Sequence, residues 1–358
     1  MNKSSKIYVA GHNGMVGSAI LRKLKEKGFR NFVLRDISEM NLVRQQEVDE
    51  FFEKEKPDYV IDAAAKVGGI LANDTYRAQF IYENLMIQNN IIHASYATGV
   101  KKLLFLGSSC IYPKFAGQPM KEDSLLTGTL EPTNEPYAIA KIAGIKMSEN
   151  YYRQYGCNFI SVMPTNLYGP NDNFNLETSH VVPALIRKFH LGKCFNNDDW
   201  EAIRKDLNLR PIEKVDGMSS KSEIKGILEK YGIKKAGGKT TITLWGTGKP
   251  RREFMHVNDM AAACLHVMEN VEAAGLYDEM KETHINLGLG EDIEIGEAAG
   301  MIKDIVGFQG SVEYDSSKPD GTPRKLMDVS LLNKLGYEAG IQPREGFEMA
   351  YDWYLTGY

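Results

Sequence analysis

The stretch Lys6–Gly17, KIYVAGHNGMVG, sets how the rest of the chain is read. A short apolar run from Ile7 to Ala10 gives way to glycines at 11, 14 and 17, and a helical pattern then runs from Met15 to Lys27, closed by Gly28. A glycine loop between a strand and a helix lets backbone N–H groups and the helix N-terminus receive a pyrophosphate. Its place at the head of a strand–helix–strand pattern implies a Rossmann-type, doubly wound parallel α/β sheet. Gly11, His12, Asn13, Gly14, Met15, Val16 and Gly17 are therefore the expected cofactor loop.

The alternation continues beyond it. A strand over Asn31–Arg35 ends at Asp36, nineteen residues after Gly17, where an acid would hold the adenosine ribose. Arg35 beside it would do the opposite and accept a 2′-phosphate, and an exposed charge pair at a strand end is the plain alternative. A helix over Gln45–Lys56 and a strand over Tyr59–Ala63 come next, and the run Ala63-Ala64-Ala65 lets a cofactor lie close to the backbone at Ala64. A long helix over about 78–98 leads to the buried strand Leu103–Leu106, which opens into Gly107, Ser108, Ser109 and Cys110. Ligands bind outside the carboxyl ends of such strands, so two hydroxyls and a thiol there imply chemistry.

Residues 131–146, EPTNEPYAIAKIAGIK, hold the second decisive pattern. Pro136 suits a first helical turn, and Tyr137 and Lys141, four residues apart, then share one face. An ammonium near a phenol lowers the phenol pKa, which suits proton exchange with a carbonyl or alcohol oxygen. After a strand over Phe159–Met163, the turn formers of PTNLYGP, 164–170, mark where the chain leaves the sheet. Ser179 as N-cap would leave His180 in the first turn of the next helix. Residues 194–239 form an insertion of charged helical patterns, Thr241–Trp245 reads as a strand, and Phe254–Val257 is expected to return to the main sheet. These boundaries predict a dinucleotide-binding domain over 1–168 with 254–287, and a smaller C-terminal α/β substrate lobe from 169–253 and 288–358.

Composition narrows the partners. The 358 residues carry a net charge of -4 with acids and bases interleaved, which speaks against a nucleic-acid footprint or a membrane-seeking face. Cys110, Cys157, Cys194 and Cys264 lie far apart without a CxxC pair, so neither a metal site nor a disulfide framework is expected and a reduced cytoplasm is the simplest home.

The glycine loop, the strand-end serine and Tyr-x-x-x-Lys together resemble the extended short-chain dehydrogenase/reductases. Among these, GHNGMVGSAI, AAAKVGGI, FLGSSCIYPK, VMPTNLYGPNDNF and SHVVPAL resemble the GDP-L-fucose synthase family of 3,5-epimerase/4-reductases, from residue 6 to about 192 and again from near 242. The resemblance implies a GDP-linked 4-keto-6-deoxy sugar as substrate, NADPH as cofactor, and a homodimer built on the helices 78–98 and 137–154. It makes Tyr137 the proton donor in reduction, Ser108 the oxyanion partner with Ser109 as alternative or companion, and Lys141 the ribose anchor. Cys110 becomes the base and His180 the acid of epimerisation. Leu106, Gly107, Pro164, Asn166, Leu167 and His180 would border the nicotinamide, and Ser108, Ser109, Cys110 and Asn166 the sugar. Lys188, Trp245 and Arg252 would grip the nucleotide diphosphate. Asp320 resembles a sugar or nucleotide contact and equally reads as a plain Pro-Asp-Gly turn residue. Family members carry basic residues at the positions of Asn13 and Ile37, whereas this chain has neither and adds Asp36, so NADH is the alternative cofactor. A 4-reductase of a deoxyheptose or colitose precursor and a non-catalytic dinucleotide sensor are the competing functions. Tyr137 and Lys141 speak against the sensor, Cys110 and His180 against the pure reductase.

Overall fold

The computed structural model describes residues 1–318 and 320–356; Pro319, which opens the turn expected around Asp320, and the last two residues of the expected C-terminal lobe lie outside them, as do the side chains of Ile70 and Leu71. The chain divides into two units. One gathers Met1–Leu167, Glu253–Glu291 and Leu326–Gly340, and the other Tyr168–Arg252, Asp292–Lys325 and the residues from Ile341 onward.

The first unit runs β1 (Ile7–Ala10), α1 (Met15–Glu26), β2 (Phe32–Val33), α2 (Gln45–Glu55), β3 (Tyr59–Asp62), α3 (Ile70–Thr75), α4 (Arg77–Ala97), β4 (Lys102–Leu106), α5 (Glu135–Tyr155) and β5 (Phe159–Pro164). Its sheet has six strands in the order His284–Leu287, β5, β4, β3, β1, β2, and every ladder is parallel. Strands covered on both faces read as unbroken apolar runs, and alternate residues still choose opposite faces. Ile7 and Val9 pack with Ile20 and Leu24 of α1 and with Met260 and Cys264. Tyr8 packs on the other face with Phe51 and Phe52 of α2 and with Ile91, Phe105 and Ile145.

Several boundaries depart from the sequence reading. The strand expected over Asn31–Arg35 shrinks to Phe32–Val33, because the Arg35 guanidinium turns to Glu55 at 3.0 Å and Asp36 opens a side-chain turn with Ser38. Asn166–Tyr168, expected as loop, is a strand paired with Phe254–His256, so the latter does not join the main sheet. The Asn166 amide donates to the Glu253 carbonyl at 2.9 Å and holds these segments together. Leu326–Gly340, expected in the substrate lobe, belongs to the first unit. Met120 N–H donates to the Leu326 carbonyl at 2.8 Å, and Leu331 and Leu332 sink into the core. Lys102, which an apolar pattern passes over, starts β4 fully inside, donating to the carbonyls of Val267 (2.8 Å) and Met268 (3.1 Å) at the end of the helix Val257–Asn270. Unsatisfied C-terminal carbonyls are what such a buried ammonium answers.

In the second unit the helix Val181–Asn196 is accompanied by a sheet in the order Ser311–Asp315, Lys239–Trp245, Ile233–Ala236, and by the helices Ile295–Val306 and Pro343–Thr356. The expected insertion is more than a helical pair. Trp200–Leu209 and Lys221–Lys230 are followed by Ile233–Ala236, which turns through Gly237 and Gly238, both at positive φ, into an antiparallel hairpin with Lys239–Trp245. Arg187 ties this segment down: wholly buried, it donates to Asp206 through Nε (2.9 Å) and Nη2 (2.7 Å), to the Phe174 carbonyl at 3.1 Å and to the Arg210 carbonyl. The Tyr354 hydroxyl donates to the other Asp206 oxygen. No helix among the described residues is long and apolar enough to cross a membrane.

Removing one partner of a buried pair leaves the other charge without an answer. Asp206→Ala should therefore lower unfolding stability by ~3–5 kcal/mol in urea titration. Lys230→Ala, which breaks an exposed pair with Glu213, should cost under ~1 kcal/mol in the same assay.

Candidate active site

The loop between β1 and α1 admits only glycine where the backbone crosses itself. Gly11 has φ +74, and a Cβ there would lie 2.7 Å from the Ala63 carbonyl oxygen; a Cβ on Gly17 would lie 2.2 Å from that of Gly11. The Gly14 N–H donates to the Gly11 carbonyl at 3.0 Å, and Gly14 is the N-cap of α1. No side chain caps this helix and no acid stands in its first turn, so the N–H groups of Met15, Val16 and Gly17 face outward without a helical acceptor. Positive helix-end dipole and unclaimed donors suit a dinucleotide pyrophosphate. His12 and Asn13 border this loop, and His12 lies within electrostatic reach of Asp36.

At the adenosine end, Arg35 is committed: Nη2 pairs with Glu55, Nη1 donates to the Leu34 carbonyl at 2.8 Å, and the guanidinium lies over the Phe51 ring. Asp36 is solvent-exposed and accepts from the Ser38 hydroxyl (2.6 Å) and N–H (2.8 Å), which hold its carboxyl below the usual range. Ile37 is 83% exposed, so its apolar side chain adds no anion partner.

Four of the expected catalytic groups converge at the carboxyl end of β4. Leu106 ends the strand, and Gly107 follows where a Cβ would sit 2.4 Å from the Met163 sulfur. Ser108 is the extended N-cap of the short turn Ser109–Ile111, its Oγ accepting the Cys110 N–H at 3.4 Å. Cys110 is buried and forms no disulfide. Tyr137 and Lys141 come from the first turns of α5, which Glu135 and Pro136 open. The Lys141 ammonium donates to the Leu106 carbonyl at 2.7 Å and lies over the rings of Phe105 (4.6 Å) and Tyr137 (5.8 Å). The phenol departs from expectation. Desolvation, with the Cys110 sulfur adding, raises the Tyr137 pKa, and Lys141, spent on a carbonyl, does not offset it. At neutral pH Tyr137 is thus a protonated donor. Ala64 closes the floor beside Asp62, and Pro164 and Leu167 flank the end of β5, Leu167 against the core.

The second unit carries the remaining expected residues, each described within it. His180, not Ser179, is the N-cap of the helix Val181–Asn196: its carbonyl accepts the Ala184 N–H at 3.1 Å, desolvation lowers its imidazole pKa, and the Ser179 hydroxyl is buried without a partner. Lys188, half-buried on that helix, makes no hydrogen bond or ion pair among the described residues, and desolvation pushes its ammonium down to about 8. Arg252 donates to the Arg251 carbonyl at 2.7 Å and feels the charge of Asp320. Asp320 spends both oxygens on Thr247, from its N–H (2.8 Å) and hydroxyl (2.7 Å), and so serves first as a loop clamp. Trp245 ends its strand 74% exposed, with Lys318 over its ring.

Glu253 and Asp62 are among the buried carboxylates that the sequence reading passed over. Glu253 accepts the N–H groups of Gly290 (2.7 Å) and Met327 (3.0 Å), and desolvation pushes it up to about 7. Asp62 closes β3, and an acid ending the run YVID was the visible signal. No cluster of three metal-ligating side chains occurs among the described residues.

The glycine geometry generates a binding test. Gly17→Ala must push the loop off the Gly11 carbonyl, and titration by nicotinamide fluorescence should show affinity for the reduced dinucleotide weakened by about tenfold or more, equivalent to ~1.4 kcal/mol.

The model of the NAD dependent epimerase/dehydratase family matches residues 7–208 and 219–288. A GDP-L-fucose synthase of Arabidopsis thaliana is 51% identical over 99% of this chain and 94% of its own, and that of Escherichia coli K12 is 49% identical over 98% and 96%. The solved structure of a GDP-mannoheptose C4 reductase from Campylobacter jejuni with NADP bound is 43% identical, covers 99% of both chains and superposes with a TM-score of 0.87. The backbone cradle, the Tyr-x-x-x-Lys face and these relatives agree: the chain belongs to the NAD dependent epimerase/dehydratase family, in the branch that holds the GDP-L-fucose synthases.

Proposed function

We propose that the chain converts GDP-4-keto-6-deoxy-D-mannose to GDP-L-fucose by inversion at carbons 3 and 5 and reduction at carbon 4. The observation that carries this is the gathering of Ser108, Cys110, Tyr137 and Lys141 at the end of β4, and the GDP-L-fucose synthase relatives support the substrate. When bound, the reduced nicotinamide dinucleotide supplies the hydride for carbon 4. Tyr137 gives its proton to the carbon 4 oxygen as charge builds there, and the Ser108 hydroxyl donates to the same oxygen, with Ser109 as its companion. Lys141 contributes positive charge beside the phenol and a donor for the ribose. For inversion, the C–H bonds next to the carbonyl are acidic. The Cys110 thiolate takes the proton from one face, leaving an enolate, and the His180 imidazolium returns one to the other face. Lys188 and Arg252 are the cations read as diphosphate partners, Lys188 because its ammonium is otherwise unanswered. Trp245 is read as the nucleotide's packing surface, and Asn166 as a sugar contact.

A second reading, reduction alone on a related GDP-linked heptose, is favoured by the likeness to the GDP-mannoheptose C4 reductase. Cys110 and His180 weigh against it, since reduction needs neither. The protein is further read as cytoplasmic and as a homodimer through α4 and α5, in support of which Tyr82 and Tyr155 on those helices stand exposed.

NADPH is the cofactor supported by the NADP-bound relative. NADH is favoured by one observation on this chain: at the adenosine end Arg35 is spent on Glu55, and Asp36 carries an exposed negative charge. Each charge-assisted bond a 2′-phosphate forgoes is worth ~1.5–3 kcal/mol. Comparing kcat/KM for the two dinucleotides decides between them, and a strong NADPH preference would remove Asp36 from the ribose.

Tyr137→Phe should abolish reduction while leaving solvent-deuterium exchange at carbons 3 and 5, read by mass spectrometry. Full reductase activity in that variant would refute its role. Cys110→Ser should slow the exchange far more than hydride transfer to an already epimerised ketone, and unchanged exchange would move the base elsewhere.

A further inference from the structure

The tip of β3 holds a carboxylate where an apolar residue would complete the strand. Asp62 is fully buried and stands in register with Ala10 of β1 and Phe105 of β4. One of its oxygens accepts the Ala64 N–H at 3.2 Å, and the other meets no donor among the described residues. A carboxylate with half its acceptor capacity unanswered is costly in a low-dielectric interior unless a nearby charge of opposite sign offsets it. Paired residues on parallel strands point to the same face, so Asp62 shares the face of Phe105, over whose ring the Lys141 ammonium lies at 4.6 Å.

The groups around Asp62 identify that charge. Tyr8 from β1 is buried with its hydroxyl unpartnered, and it feels both Asp62 and Arg35. From α5 comes Lys141, which interacts electrostatically with Asp62 and with Cys110; Tyr137 lies beyond it. No direct ion pair joins Asp62 to Lys141, whose hydrogen bond goes to the Leu106 carbonyl, so the influence is exerted through the field and not by contact.

We propose that Asp62 is a positioning residue for the reduction: its buried carboxylate keeps the Lys141 ammonium charged and in place beside Tyr137, behind the loop that receives the dinucleotide. This rests on the roles given above to Tyr137 and Lys141 and adds a third group to them. Burial lowers the Lys141 pKa, and the charge of Asp62 opposes that lowering. The support is conditional on pH. Desolvation lifts the Asp62 carboxyl to about 6, so its charge is present above that pH and disappears below it.

The test uses the whole enzyme and two readouts. In wild type, dinucleotide affinity, titrated by nicotinamide fluorescence without sugar substrate, should weaken as pH falls through about 6, where the Asp62 charge that holds the ammonium in place is lost. Asp62→Asn should bind more weakly with that acid limb gone, and the alkaline limb of kcat for reduction should move down by about one pH unit as Lys141 loses its support. Tyr8→Phe, which removes the neighbouring uncharged polar group, should keep the wild-type profile. A flat wild-type binding profile would overturn the proposal even if Asp62→Asn did not fold. So would an Asp62→Asn enzyme that is less heat-stable yet has unmoved pH limbs, or a Tyr8→Phe enzyme with the same shift. Loss of the function reading looks different: the binding profiles would stand while no ketone reduction was found in wild type.

Discussion

Everything at this site depends on one approach of backbone to backbone. Gly17 lies against the Gly11 carbonyl and Gly11 against that of Ala63, with no room for a Cβ at either position. Because the turn is that tight, α1 starts immediately beyond β1 and points its bare N-terminus outward, with neither a capping side chain nor an acid to occupy it. The same closeness joins β1 to the end of β3, so Ala64 and Asp62 stand directly behind the loop. A looser turn would separate the bare N-terminus of the helix from the strand end at which Ser108, Cys110, Tyr137 and Lys141 gather.

From that frame the reactive groups follow by strand order. β4 sits between β3 and β5, so its carboxyl end has neighbours on both sides, and α5 crosses it with Tyr137 and Lys141 one turn apart. Burial then does what composition does not reveal. It raises the phenol, lowers the ammonium and lifts Asp62, so groups that would be ordinary in water come to interact closely. Lys141 spends its ammonium on a main-chain carbonyl, and desolvation with the Cys110 sulfur governs Tyr137. That is why the lowering of the phenol expected from a Tyr-x-x-x-Lys pair does not appear.

The alternation of apolar runs and helical patterns made β1, β3, β4 and the long helices α4 and α5 legible within a residue or two, because strands buried on both faces must be apolar throughout and helices carry their own periodicity. The failures share a cause. β2 is short because Arg35 leaves the strand for Glu55, Asn166–Tyr168 is a strand because Glu253 lies across from it, and Leu326–Gly340 belongs to the first unit because Met120 and Asn286 bond to it. Each is decided by a partner tens or hundreds of residues away, which no local pattern encodes. Lys102 and Arg187 are the same lesson in the interior: no local pattern names the distant carbonyls and the carboxylate that answer these long charged side chains.

The sequence by itself determined the glycine loop, the Tyr137–Lys141 spacing and the hydroxyls and thiol after β4, since each is a local requirement of backbone geometry or helix pitch. Only the tertiary structure decided which charges are spent. Arg35 is held by Glu55, Asp320 by Thr247 and Arg187 by Asp206, while Lys188 has no partner among the described residues and Asp62 stands buried in the field of Lys141. The reason is physical: an ionisable group acts according to its solvation and its nearest opposite charge, and both exist only once distant segments have packed around it.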